Sequence, residues 1–152
     1  MRKYGKRFMI GWLASSIVMF GLSYLWHGVF LNDYELIQYP KGIFISASAI
    51  VYLFIGLLLS RIFIADFLDK ISRHPLLRGP AAGFAAGIMV YLIALVIGVT
   101  YNKGLDMKYI VMDVVWQGVE QAIGGLFVGL SYMFIFEPFI RHDIPEGTDE
   151  EQ

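Results

Sequence analysis

Cysteine is absent from the 152-residue chain, which removes disulfides, thiolate metal sites and covalent thiol catalysis from consideration. Charge is scarce as well. Asp, Glu, Lys and Arg supply 16% of the residues against 57% hydrophobic ones, a balance that excludes an ordinary soluble domain of this length. The three histidines, His27, His74 and His142, are too scattered to pair as metal ligands or to complete a Ser/His/Asp set. No catalytic residue, metal or cofactor is therefore expected, and nucleic acid is not among the expected partners.

What the chain has instead is four long apolar runs, at roughly 8–31, 42–65, 80–101 and 107–136. Each lies within or near the ~17–25 residues that a helix needs to cross a bilayer, or exceeds it. The expectation is an all-α, four-helix transmembrane bundle forming one domain, with no room for an extramembrane one. The runs are joined by short connections. The second connection, 66–74, alternates charges with apolar residues at helical spacing and predicts a short interfacial helix, capped by Asp66 and stopped by Pro75. The third run would then start at Gly79-Pro80. Residues 141–152 are acidic and predict a solvated tail.

Orientation follows from where Lys and Arg fall. Arg2, Lys3, Lys6, Arg7, Arg61, Lys70, Arg73, Arg78 and Arg141 lie at one end of the expected bundle, and Lys41, Lys103 and Lys108 at the other. That asymmetry puts both termini in the cytoplasm. The basic start followed by an apolar stretch resembles a signal peptide, but the run stays apolar to Leu31 without a cleavage site, so it reads as an uncleaved span.

The fourth run carries the polar residues. Within Met112–Gly125 stand Asp113, Gln117, Glu120 and Gln121, beside Trp116. Acids inside a span are costly, on the order of ~3 kcal/mol when they face lipid, so they mark faces turned toward protein or a wet cavity. At 100° per residue, Asp113, Gln117, Glu120 and Gly124 share one face, and Gly118, Ala122, Gly125 and Gly129 lie on the opposite side. The fourth helix should therefore be central.

The third run carries a stripe of Gly79, Gly83, Gly87, Ala94 and Gly98, which suits close helix packing without naming the partner. On the first run, Ser16, Phe20, Ser23 and His27 form a mildly polar stripe, while Trp26 falls where an interfacial aromatic belt would lie. By depth, His27 can meet Asp113. Glu120 lies roughly 20 Å in, level with Tyr52 and Tyr91. It is expected to be uncharged and hydrogen-bonded to a tyrosine or to Gln117.

Three readings compete for this polar site: hydrogen-bonding glue between helices, a proton- or cation-handling site, and a pocket for a lipid, quinone or other hydrophobic ligand with Trp116 and His27 at its mouth. The glue reading leads. It makes the chain a non-catalytic homo-oligomer or accessory subunit of a larger membrane complex, with its glycine faces used for assembly. The runner-up is a small proton- or cation-coupled transporter or channel using Asp113 and Glu120. Leu25-Trp26-His27, Tyr34 and the glycine-rich third run resemble a bacterial family of small four-span membrane proteins of unknown function. That resemblance implies a multi-pass protein of the bacterial inner membrane and, since the family has no assigned activity, nothing more.

Overall fold

The computed structural model describes residues 5–35, 39–65, 68, 72, 74–101 and 107–135. Four helices account for nearly all of them: α1 (Lys6–Ser23), α2 (Lys41–Phe63), α3 (Pro75–Tyr101) and α4 (Met107–Phe134). No strand occurs among the described residues. Most of the expected interfacial helix at 66–74, and all of the acidic tail at 141–152, lie outside them.

α1 does not stop at Ser23. It widens into a seven-residue π-helical turn, Tyr24–Phe30, closed by a bond from Leu31 N–H to the Trp26 carbonyl at 2.9 Å. Asn32 then ends the rod with a φ of 55°, a left-handed conformation that asparagine tolerates better than most residues. Together α1 and the π turn form one apolar rod, Lys6–Phe30, of 25 residues.

α2 follows Pro40, which cannot continue a preceding helix. α3 begins at Pro75, not at Gly79-Pro80. Proline suits the first helical position, where its missing N–H costs nothing, so Pro75 starts a helix where the sequence suggested it would stop one. Pro80 is carried inside the first turns, at a cost that the packing described below offsets.

Three helices are long and apolar enough to cross a membrane: Lys6–Phe30, Lys41–Phe63 and Pro75–Ile97. α4, at 28 residues, has the length, but its acids and amides keep it out of that set.

The helices alternate in direction. Gly11 of α1 faces Val128 and Ser131 of α4, Met19 faces Gly124, and Trp26 faces Trp116, so α1 and α4 run antiparallel along their whole length. α4 packs most extensively on α3 and next on α1, whereas α2 packs mainly on α1 and only lightly on α3 and α4. This makes α4 the central helix, as its polar pattern predicted. Its outer side is a stripe of Val111, Val115 and Val119, all exposed, matching the exposed aliphatic faces of α2 and α3. Such a surface suits acyl chains.

Two arginines tie the helix ends. Arg7 Nε donates to the Ile135 carbonyl at 2.5 Å, and Arg78 donates to the Ala65 carbonyl at 2.7 Å while its guanidinium lies 5.3 Å over the Phe63 ring. Each satisfies a carbonyl at a helix C-terminus, where the dipole favours a cation. The start of α1 and the end of α4 therefore meet at one end of the bundle.

Candidate functional site: the buried acid of α4

The site depends on how closely α4 is held. Pro75 faces Gly129, Gly79 faces Gly125, Gly83 faces Gln121 and Gly87 faces Gln117, so α3 and α4 run antiparallel in steps of four residues. A Cβ at Gly79 would overlap the carbonyl of Gly125, and a Cβ at Gly125 would overlap the carbonyl of Gly79. This reciprocal contact puts backbone against backbone, where Cα–H groups meet carbonyl oxygens. Gly118 is closed by the Phe84 ring, 2.7 Å from where its Cβ would be. Gly98 lies in α3 outside the described contacts.

The partner of Gly79, Gly83 and Gly87, which the stripe did not name, is α4 of the same protomer. One expectation is corrected by this packing: the polar and small faces of α4 are not opposite. A row of every fourth residue drifts round the helix, so Gln117, Gln121, Gly125 and Gly129 form one continuous seam against α3, while Glu120, Gly124 and Val128 turn toward α1.

Glu120 is 0% exposed. Gln117 Nε2 donates to its Oε1 at 3.4 Å, a long bond within one turn of the helix. The Tyr52 hydroxyl of α2 and the Trp116 indole also act on the carboxyl, and none of these three neighbours is basic. The last two contacts are close without being well directed: Glu120 Oε2 and Trp116 Nε1 are buried and make no hydrogen bond of good geometry. Tyr52 acts on the Ser23 hydroxyl of α1 as well, so Ser23, Tyr52 and Glu120 link three helices in one row. Phe20 packs edge-on against the Tyr52 ring, with centroids 6.1 Å apart. The sequence expected Glu120 to bond a tyrosine or Gln117; the hydrogen bond is from Gln117, with Tyr52 acting on the carboxyl beside it. Tyr91 is not the partner; its electrostatic neighbour is Asp113, one step further along the α3–α4 seam.

Gln121 is also 0% exposed, and neither its Oε1 nor its Nε2 has a hydrogen-bond partner. Its stem packs against α3: a Cβ at Gly87 would lie 2.8 Å from Gln121 Cβ and Cγ.

Above Glu120 the π turn swings Trp26 onto Trp116. The two rings stack with centroids 4.3 Å apart and planes 13° from parallel. Trp26, half-buried, thus packs on α4 through one ring face, and one face of Trp116 is covered by protein. His27 follows it in the π turn, half-buried. Tyr34 folds back on Gly28, where a Cβ would lie 3.0 Å from its ring, and meets Tyr24 and Phe44 edge-on at 5.7 and 5.4 Å. Sequence reasoning missed the tryptophan pair and the backbone change that makes it. Ser23 was visible in the polar stripe of the first run.

A shallow apolar groove lined by Ser16, Ile17, Phe20, Ala49 and Leu53 lies between α1 and α2, on a different side of α1 from Trp116. No group of three or more His, Cys, Asp and Glu residues that could hold a metal occurs among the described residues.

These features define an all-helical protein with three helices fit to cross a bilayer and a polar residue row at its centre. No family model, curated protein or solved structure matches the chain.

Proposed function

We propose that the chain is a four-span integral membrane protein, both ends cytoplasmic, that handles a proton or a small cation at Glu120 without catalysing covalent chemistry. The observation that carries this reading is the buried carboxyl of Glu120 with an unbonded Oε2, beside an equally buried Gln121 whose amide is wholly unbonded. Residues serving only as interhelical glue would make the bonds that justify their cost, worth about 0.6–2 kcal/mol each. These two leave acceptors and a donor unfilled in the interior, as a site that takes up and releases a charged or polar guest requires.

Features of the fold support the other parts of the reading. α4 is long enough to cross, and it is enclosed by α1 and α3 on its polar sides, which makes a fourth crossing affordable despite its acids. The end where Arg7 meets Ile135 also holds Arg61 and Arg78, and the excess of Lys and Arg there faces the cytoplasm.

Infrared spectroscopy of the reconstituted protein tests the proposal. The carboxylic-acid stretch of Glu120, identified by its loss in Glu120→Gln, is expected to change intensity with bulk pH or on exchanging the medium between Na+ and K+ salts. Glu120→Gln should retain the helical fold. A Glu120 signal that stays constant over every pH and salt at which the protein is folded would leave only the structural role, that of an accessory subunit.

A further inference from the structure

The polar groups along α4 are not spread evenly about Glu120. Gln117, one turn before it, turns its amide nitrogen to the carboxyl, with Nε2 donating to Oε1 at 3.4 Å. Trp116, four residues before Glu120, falls on the same face of the helix. Its indole nitrogen can only donate, and that N–H is buried and unbonded, as is Glu120 Oε2. Trp26, stacked on the ring with centroids 4.3 Å apart, limits how far the indole can turn away.

Side-chain oxygens of α4 do not converge on the same point. Gln121 stands about 100° further round the helix and lies against Gly83 and Gly87 of α3. Glu120 instead shares its face with Gly124, which Met19 of α1 closes. Asp113, the next acid along α4, is roughly 10 Å away along the axis.

We infer that the guest of this site is a proton and not a metal cation. This names the guest within the reading of Glu120 given above, on which it rests. A hard metal ion is held by about six oxygens at roughly 2.0–2.6 Å. Here it would find one carboxyl and the Tyr52 hydroxyl, beside N–H groups whose positive ends oppose it. Loss of a proton needs the reverse. When the O–H bond of Glu120 breaks, its electron pair stays on the carboxylate and the proton passes to a water molecule; uptake is the same exchange run backward. The anion left behind is met by the Gln117 N–H at Oε1 and has the open Trp116 N–H one turn from Oε2, and hydrogen bonds to an ionised acceptor are roughly twice as strong as neutral ones. Tyr52 of α2 is the titratable group that acts on the carboxyl from another helix. To this stretch of α4, α1 presents Met19 and α3 presents Gly83 and Gly87, none of which titrates.

The test holds pH constant around the reconstituted protein while NaCl is replaced by KCl and then by choline chloride, and afterwards steps the pH at constant NaCl. The acid band of Glu120, assigned by its loss in Glu120→Gln, should be unmoved in the first series and give way to a carboxylate band in the second. Trp116→Phe keeps a ring for Trp26 to stack on, and Gln117→Met keeps an unbranched stem, but each removes the N–H donor. Each should lower the carboxylate-to-acid band ratio at a fixed pH by about tenfold. A band that changes with the cation at constant pH would overturn the inference while leaving Glu120 as the site, as would parent ratios in both variants. A band constant through both series would instead overturn the underlying reading and the inference with it.

Discussion

Gly125→Ala should destabilise the fold by about 3 kcal/mol or more, and Gly79→Ala by a similar amount. At both positions the added methyl would meet the facing helix's main-chain carbonyl, which cannot rotate aside. Two rods would have to separate along a seam of four close contacts, losing Cα–H···O contacts of ~0.5–1 kcal/mol each and the dispersion that goes with them. Gly56→Ala is the internal control. Its methyl would meet the Ser16 hydroxyl, the movable end of a side chain, so the cost there should be clearly smaller. Unfolding midpoints in increasing SDS distinguish the positions. Equal midpoints for Gly125→Ala and the parent would mean that the α3–α4 approach is not as close as described.

Gln121→Met should act in the opposite direction and raise stability by about 1–3 kcal/mol. Methionine keeps the unbranched stem that lies against Gly87 and discards an amide whose two polar atoms are buried without partners. Nothing among its described contacts recovers the desolvation cost of that amide, and an apolar atom of the same reach incurs none. The same unfolding series measures it. A loss of stability would show that the amide holds a partner in the membrane. A gain would mean that glutamine is retained at the expense of stability, the usual signature of a position kept for activity.

How much of this was legible from residues alone depends on the kind of signal. Helix existence came from apolar run length, and the first and fourth helices sit within about two residues of the runs that predicted them. The polar face of α4 and the depth of Glu120 against Tyr52 came from a 3.6-residue period, which sequence carries directly. Pro75 misled because proline both ends and begins helices, and only the chain's path decides which. The π turn had no signature, since it is a shift of backbone bonding by one residue and not a choice of side chain. The stacking of Trp26 on Trp116 was invisible for that reason. Depth alone left both Tyr52 and Tyr91 open as neighbours of Glu120, whereas the four-residue register of the α3–α4 seam sets Tyr91 near Asp113. The glycine stripe announced a tight partner, and a stripe is silent on whether that partner is in the same chain.

The uneven grip among the helices has a mechanical consequence. α3 and α4 are pressed together without intervening side chains, and α4 is bound along its length to α1, so these three behave as a plank. α2 touches that plank mainly along one edge, and of its 23 residues only Tyr52, Gly56, Leu59, Ser60 and Phe63 are buried. Segments with few buried contacts open at the lowest free energy. When the bundle breathes, α2 is the leaf that swings, and it carries Tyr52 toward or away from the acid fixed in the plank.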